Sequence, residues 1–255
     1  MLRLRRSSSG GIFLSEISSE YCKRTREVAR ELLKGISESL GLEEHYIDNA
    51  LKLEKGTQVL VGNLYPPCPQ PQLAMGLPPH SDHGLLILLI ENANGGLQIQ
   101  HRGKLVQVKS LPNSFLVNTG DHLEILSSGK YKNVVHRAIV NGKTTRISLA
   151  MTLAPSFGTV VSPAPELLNS ESNPPAYSGM KYRDYLELQQ SNNSTKGSAV
   201  ARKRLPITIV RGVNHSPNNY KLNSATIPIT RALEFSVSDS TPTHDSVQTC
   251  QIFLQ

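Results

Sequence analysis

The feature that most constrains the fold is a change in the spacing of apolar residues near Gly56. Before this point apolar residues recur every three to four positions, as in helices; after it they form short segments separated by turn residues. The segments are 58–62, 85–90, 97–100, 105–108, 114–118, 121–126, 133–140 and 146–153. Short strands at this spacing favour an antiparallel sandwich or barrel. We therefore predict a mainly β fold, a double-stranded β-helix (jelly roll) with flanking helices.

Helices are predicted on both sides of this β region. Over 17–40 the apolar residues share one helical face, and Gly41 is a suitable end for that helix. Shorter helices are predicted over 45–53 and 180–190. The first two would pack on the barrel, and the third would close it.

The chain is predicted to contain four segments. Residues 1–16 are expected to be an unstructured basic N-terminus, because the first fourteen contain three Arg and no acidic residue. Residues 17–55 would form the flanking helices, and 56–190 the jelly-roll core with its closing helix. Residues 191–255 are expected to be a poorly ordered tail, because they are rich in Ser, Thr and Asn and show no sustained apolar period.

The composition argues against several classes of protein. The formal net charge of +7 is not gathered into a basic stripe with interleaved aromatic residues, which argues against nucleic-acid binding. The longest apolar run, 85–90, is much shorter than the roughly 18 residues of a membrane helix. Three widely spaced cysteines form neither a disulfide framework nor a zinc site. We expect a cytoplasmic monomer with no nucleic-acid or membrane partner.

The first candidate site is His80-Ser81-Asp82, just before a segment predicted to be a buried strand. In an extended chain residues i and i+2 point to the same side, so the His80 imidazole and the Asp82 carboxylate converge. His136 lies in another strand-like segment further along the chain. Two histidines and one carboxylate at a barrel mouth form the facial triad that binds Fe(II). For either histidine taken alone, an ordinary core or surface residue is the simpler explanation.

A second candidate site is Arg146-Ile147-Ser148, at the start of the next predicted strand. Residues 146 and 148 share a face, so a guanidinium and a hydroxyl would point into the same cavity. The guanidinium fork pairs bidentately with a carboxylate, and the hydroxyl adds a hydrogen bond. An inward Arg in an apolar barrel is costly without an anion to meet it. Together, the two sites indicate a metal-chelating oxo acid as cosubstrate.

Longer stretches carry a resemblance to a known family. They are NLYPPCPQP (63–71), GLPPHSD (76–82), GGLQ (95–98), NTGD (118–121), 127–140, RIS (146–148) and VSPAPE (161–166). On these stretches the sequence resembles the plant 2-oxoglutarate- and Fe(II)-dependent dioxygenases, in the family's order over about 17–190. The most similar groups are the flavanone 3-hydroxylase-like and downy-mildew-resistance-type oxygenases. The family's usual N-terminal region has no counterpart here, so we expect a truncated member.

The resemblance implies a role for each candidate residue. The facial triad would hold Fe(II), with no catalytic residue beyond these metal ligands. Arg146 and Ser148 would hold the distal carboxylate of 2-oxoglutarate. Asn63 and Tyr65 match positions near the cosubstrate, and Tyr65 would donate a hydrogen bond to it. Ascorbate is expected as the reductant.

The resemblance also implies a reaction. Dioxygen would decarboxylate 2-oxoglutarate to succinate and CO2 while a small plant metabolite, such as a flavonoid, phenolic or hormone-like compound, is hydroxylated or desaturated. Two alternatives stay open. One is a truncated, non-catalytic member that binds metal and cosubstrate without a complete substrate pocket. The other is a basic binding protein that uses the tail 196–255.

A second His-x-acid pair, His122 and Glu124, competes with the proposed triad. It could ligate a metal in a differently arranged barrel. It has no convergent partner pattern, however, and the corresponding segment in the resembling family is structural. We therefore expect His122 and Glu124 to have a structural role.

Overall fold

The computed structural model describes residues 10–92, 94–168, 174–191, 225–228 and 250–254. Its helices are α1 (Gly10–Ser39), α2 (Tyr46–Ala50), α3 (Asp121–Leu126) and α4 (Tyr182–Ser191), with short 3-10 turns at Leu53–Lys55, Pro71–Leu73 and Pro165–Leu167. Its strands are β1 (Thr57–Tyr65), β2 (Leu77–His80), β3 (Leu86–Glu91), β4 (Leu97–His101), β5 (Lys104–Gln107), β6 (Ser114–Thr119), β7 (His136–Ala138), β8 (Arg146–Ala154), β9 (Val160–Val161), β10 (Met180–Lys181), β11 (Ala225–Pro228) and β12 (Cys250–Leu254).

Strands β1 to β8 form two sheets whose pairing is that of a jelly roll. The large sheet has the order β11-β6-β3-β8-β1-β12, and the small sheet has the order β2-β7-β4-β5. The pairs among β1 to β8 are antiparallel, and the chain crosses repeatedly between the sheets. The predicted double-stranded β-helix is confirmed.

The alternation of side chains along the large sheet separates the core from the cavity. Outward-facing residues such as Leu88 and Met151 pack against Ala29 and Leu33 of α1 in the main apolar core. Inward-facing residues of the same strands line a cavity of about 280 Å³ together with residues of the small sheet. Because successive strand residues point to opposite faces, one strand can stabilise the fold with one face and build the cavity with the other.

Several elements differ from the sequence prediction, among them α3 and β2, while β9 was not predicted and β10 occupies the first two residues of the helix predicted over 180–190. Residues 121–126, predicted as a strand, form helix α3, and all six are buried. The sequence DHLEIL alternates polar His122 and Glu124 with apolar Leu123 and Ile125, as a strand would, and six residues are too few to show a helical period. Strand β2 was not predicted, because its sequence LPPH contains two prolines. It lies at the edge of the small sheet, where proline is tolerated because one side of the backbone needs no partner.

The ends of the chain differ from their predictions in part. Helix α1 begins at Gly10, so the prediction of an unstructured segment over 1–16 is wrong for its last residues; 1–9 lie outside the described residues. In the predicted tail, β11 pairs with β6 and β12 with β1 at the edges of the large sheet. The rest of that tail, beyond the end of α4, lies outside the described residues. None of the helices within the described ranges has the length and apolarity that a membrane crossing requires.

Candidate metal centre

Two imidazoles and one carboxylate converge in the cavity between the sheets. His80 ends β2, His136 begins β7, and the pairing of these strands sets the two residues opposite each other. Asp82 follows β2, and its carboxylate oxygens lie 3.6 Å from His80 Nε2 and 3.4 Å from His136 Nε2. The three ligand atoms lie within 4.8 Å of one another. Within the described residues, no other group of three or more such side chains meets in this way.

Backbone carbonyls orient both imidazoles. His80 Nδ1 lies 2.8 Å from the carbonyl oxygen of Pro78, and His136 Nδ1 lies 3.0 Å from that of Val134. A carbonyl only accepts hydrogen bonds, so each Nδ1 carries a proton and each Nε2 is the ring nitrogen that faces the Asp82 carboxylate and is available to a metal ion. Burial lowers the pKa of His80, but the hydrogen bond and charge of Asp82 outweigh burial and raise it above its usual value.

The Asp82 carboxylate is held in its ionised form. Asn118 on β6 donates a hydrogen bond from Nδ2 to Asp82 Oδ2 at 2.8 Å. Burial raises the pKa of Asp82, but the hydrogen bonds from His80 and Asn118 and the charges of the two imidazoles lower it to about 2. Asn118 was not singled out as a site residue from the sequence, although the stretch NTGD that contains it was recognised.

The donor set fits a ferrous ion. Two neutral imidazole nitrogens and one carboxylate oxygen form the facial set typical of non-haem Fe(II), which leaves positions open for other ligands. Donor atoms that share one first-row metal ion at about 2.1 Å lie roughly 3 Å apart at right angles. The spacings of 3.4 and 3.6 Å are close to that value. His80, Asp82 and His136 can therefore hold such an ion.

The predicted carboxylate clamp lines the same cavity as the triad. Arg146 and Ser148 lie on β8 opposite Tyr65 and Asn63 of β1. Arg146 Nη1 donates to Ser148 Oγ at 3.1 Å, and the guanidinium carbon lies 4.9 Å from the centre of the Tyr65 ring. Asn63 Nδ2 lies 3.5 Å from Ser148 Oγ. Burial raises the pKa of Tyr65, so its hydroxyl is a hydrogen-bond donor at neutral pH.

Arg146 also has a partner that the sequence analysis did not identify. Glu91, the last residue of β3, accepts hydrogen bonds from Arg146 Nε at 2.9 Å and Nη2 at 2.5 Å. The two side chains are 1% and 3% exposed, respectively. The expectation that an inward Arg146 lacks an anion unless a ligand supplies one is therefore wrong, because Glu91 provides that charge from within the fold.

The backbone that carries Asp82 is fixed by the segment before α3. The amide of Asp121 donates to the carbonyl oxygen of Asp82 at 2.8 Å. A Cβ added to Gly120 would lie 2.5 Å from the carbonyl oxygen of Gly84, so only glycine allows the two segments to cross this closely. The Asp121 carboxylate accepts a hydrogen bond from the Tyr185 hydroxyl of α4 at 2.5 Å. Helix α4 and the metal-ligand loop are thereby joined through α3.

His122 and Glu124 have structural surroundings in α3. His122 Nδ1 accepts a hydrogen bond from the Gly84 amide at 3.3 Å, and its ring packs edge-on against Tyr185. Glu124 accepts hydrogen bonds from the Tyr177 hydroxyl at 2.5 Å and from a backbone amide. Neither side chain belongs to the metal-ligating group. Burial lowers the pKa of His122 to about 3.

Acid is expected to destabilise the protein through His122. In the unfolded chain this histidine titrates near 6.5, whereas in the folded chain its pKa is about 3. Below about pH 6.5 the unfolded state therefore binds a proton that the folded state does not bind. The stabilisation is complete above 6.5 and is lost as the pH falls toward the folded value. We expect His122 alone to contribute a loss on the order of 3 kcal/mol between pH 6.5 and about pH 4. Asp121 offsets part of this loss, because burial raises its folded pKa to about 6 and the folded state therefore gains a proton there as the pH falls.

Urea unfolding across this pH range measures the effect. The His122→Asn variant keeps an acceptor for the Gly84 amide but cannot titrate, so the stability that it loses between pH 6.5 and pH 4 should be smaller than in the parent protein by the His122 contribution. The matched control is His45→Asn, because His45 is exposed and its loss should leave the slope as in the parent protein. An unchanged slope in His122→Asn would contradict the assignment.

Comparisons with known proteins agree with this geometry. The sequence model of the 2OG-Fe(II) oxygenase superfamily matches residues 56–155. The chain is 47% identical over 188 residues to 2-oxoglutarate-dependent dioxygenase 19 of Oryza sativa subsp. japonica, covering 73% of this chain and 56% of the relative. It is 43% identical to a flavonol synthase/flavanone 3-hydroxylase of Petunia hybrida, covering 67% of this chain and 49% of the relative.

A solved structure is also similar to this chain. The crystal structure of JOX2 in complex with 2OG, Fe and JA superposes with a TM-score of 0.70 at 34% identity, covering 75% of this chain and 56% of that chain. This chain spans about half the length of the curated relatives it matches. The resemblance predicted from the sequence motifs is confirmed. The chain contains a 2OG-Fe(II) oxygenase domain over residues 56–155, and its curated relatives are plant 2-oxoglutarate dioxygenases.

Proposed function

We propose that this chain is an Fe(II)- and 2-oxoglutarate-dependent dioxygenase that hydroxylates or desaturates a small plant metabolite and releases succinate and CO2. The observation that carries the proposal is a single cavity lined by both the metal-ligating triad and the Arg146–Ser148 pair. A dicarboxylic oxo acid can chelate a metal with one end and reach a cationic clamp with the other. The superfamily uses Fe(II) and 2-oxoglutarate, which supports this reading.

Each part of the cavity has a role in the proposed reaction. His80, Asp82 and His136 would hold the metal ion. Bound Fe(II) supplies the redox chemistry that couples decarboxylation of 2-oxoglutarate to oxidation of the substrate. Arg146 and Ser148 pair with the distal carboxylate and so fix the orientation of the cosubstrate. Ascorbate is proposed as the reductant that keeps the metal ferrous.

The rest of the cavity wall is mostly apolar and favours apolar groups of a substrate. Six aliphatic side chains from three strands contribute to it: Val59, Val61, Ile87, Leu89, Leu97 and Ile99. Asn63 and Tyr65 add polar groups beside the clamp. The relatives act on or bind small molecules, by their names a flavanone or flavonol and JA, which supports a small metabolite as substrate. We propose a cytoplasmic monomer with no nucleic-acid or membrane partner.

A second candidate is a non-catalytic member that binds metal and 2-oxoglutarate only. The observation that favours it is exposed apolar surface on the two strands that carry the clamp. Leu64 and Ile147, paired on β1 and β8, are 57% and 48% exposed. In this case the substrate pocket would be incomplete, although the metal centre and the clamp are formed.

A coupled assay distinguishes the two candidates. The full chain is incubated with Fe(II), ascorbate and 2-oxoglutarate against a panel of flavonoids, phenolics and hormone-like acids, and succinate and oxidised product are quantified. Succinate formed in proportion to an oxidised product supports the dioxygenase. Binding of Mn(II) and 2-oxoglutarate by calorimetry without any oxidised product supports the non-catalytic member. Turnover that needs no metal contradicts both.

A further inference from the structure

Glu91 forms a buried ion pair behind the clamp. Its Oε2 accepts hydrogen bonds from Arg146 Nε and Nη2, and its Oε1 accepts one from the Ser110 hydroxyl. Arg146 lines the cavity, whereas Glu91 is not among the residues that line it. The carboxylate is therefore placed to act on the cosubstrate only through Arg146.

The contacts of Arg146 fix which part of the guanidinium a ligand can reach. Glu91 occupies the edge formed by Nε and Nη2. Nη1 is directed to Ser148 Oγ at 3.1 Å, and the Tyr65 ring lies against the guanidinium. Gly96 packs closely against the aliphatic part of the Arg146 side chain, since a Cβ added to Gly96 would lie 2.9 Å from Arg146 Cδ. The part of the guanidinium left for a ligand is therefore the Nη1 end, beside Ser148.

The charges in this arrangement oppose tight binding of an anion. Arg146 and Glu91 together are neutral, and both are almost fully buried. A ligand carboxylate at the Ser148 end of the fork would share one guanidinium with a second carboxylate. Like charges at such short range repel strongly where water is excluded. Glu91 therefore fixes the orientation of the guanidinium and at the same time weakens the attraction of the guanidinium for a ligand carboxylate.

We propose that Glu91 is a positioning residue that presents Arg146 to the distal carboxylate of 2-oxoglutarate and, by neutralising its charge, lowers the affinity for that carboxylate. The proposal rests on the proposed function, since it takes 2-oxoglutarate as the ligand. Glu91 thereby sets both the strength of cosubstrate binding and the preference for oxo acids with a second carboxylate over those with one.

The Glu91→Gln variant tests this proposal. Glutamine keeps an oxygen that accepts from Arg146 and removes the negative charge. Calorimetric titration of the Mn(II)-loaded full chain should show 2-oxoglutarate binding roughly tenfold tighter than in the parent protein. Binding of 2-oxobutyrate, which has no distal carboxylate, should change by less than about twofold. The ratio of the two affinities is a readout that a merely structural role for Glu91 would not move.

Two controls accompany the variant. Glu124→Gln removes another fully buried carboxylate, one that lies outside the cavity lining, and should leave 2-oxoglutarate affinity unchanged. Mn(II) affinity should be the same in the parent protein and in both variants. If Glu91→Gln does not fold, Glu91→Asp replaces it in the test. Aspartate keeps the negative charge but is shorter by one methylene, so the charge lies farther from the guanidinium. Binding of 2-oxoglutarate should again become tighter, by a smaller factor than in Glu91→Gln.

The outcomes separate this proposal from the function on which it rests. Unchanged or weaker 2-oxoglutarate binding in Glu91→Gln, with Mn(II) affinity intact, overturns the role of Glu91 and leaves the proposed function standing. Equal strengthening for 2-oxoglutarate and 2-oxobutyrate also overturns it, because the effect would then not act through the distal carboxylate. A parent protein that binds neither Mn(II) nor 2-oxoglutarate overturns both the function and this role.

Discussion

The Asp82→Ala variant is expected to lose metal binding and, with it, succinate formation. Asp82 is the only carboxylate in the metal-ligating group, and its two oxygens face the two histidine Nε2 atoms at 3.6 and 3.4 Å. Alanine leaves two neutral imidazoles and no anionic ligand for a divalent cation. We expect Mn(II) affinity to fall by well over a hundredfold, since loss of even an outer partner typically costs about 10–100-fold. Calorimetry and the succinate assay measure both losses.

Two matched variants show whether the loss belongs to the metal centre. Asn118→Ala removes the hydrogen bond to Asp82 Oδ2 but leaves every ligand in place, so we expect a smaller loss of about 10–100-fold in Mn(II) affinity. Asp184→Ala removes an exposed carboxylate of α4 and should change nothing. Retained Mn(II) affinity in Asp82→Ala would show that the three side chains do not form a metal site.

The candidate site could be predicted from the sequence where its residues are related by strand geometry. His80 and Asp82 are two positions apart, as are Arg146 and Ser148, and the alternation of an extended chain puts each pair on one side. The partners that were missed have no such local relation. Glu91 comes to Arg146 because β3 and β8 pair with Glu91 opposite Ser148. Strand register depends on the whole sheet, and no short pattern specifies it.

The fold, like the site, was predictable where the sequence pattern is local and was not predictable where an element depends on residues distant in the chain. The β segments were recognisable because turn residues separate them. Strand β2 was missed because its two prolines disfavour a strand unless it lies at an edge, which depends on the neighbouring strands. Helix α3 differs from the strand prediction because the alternation of polar and apolar residues in DHLEIL resembles a strand, whereas the burial of its polar side chains depends on distant partners. Strands β11 and β12 lie at the two edges of the large sheet. An edge strand pairs through backbone hydrogen bonds, which do not require a particular pattern of apolar side chains, so the sequence did not predict them.

The Arg146→Lys variant is expected to separate cosubstrate binding from metal binding. A lysine ammonium is a compact point charge without the planar fork of arginine. The Arg146 guanidinium donates to Glu91 from Nε and Nη2 and to Ser148 from Nη1 at the same time. A lysine ammonium that pairs with the buried Glu91 carboxylate cannot also reach the position beside Ser148. The distal carboxylate of 2-oxoglutarate would then have no guanidinium donor beside Ser148, while the negative charge of Glu91 would remain nearby.

We therefore expect 2-oxoglutarate affinity to fall by about a hundredfold or more in Arg146→Lys, with Mn(II) affinity within about twofold of the parent protein. Calorimetric titration of Mn(II), followed by 2-oxoglutarate, measures both in one sample. Arg183→Lys on the exposed face of α4 is the matched control and should leave both affinities unchanged. An equal loss of affinity for Mn(II) and for 2-oxoglutarate in Arg146→Lys would mean that Arg146 supports the fold and is not part of the carboxylate clamp.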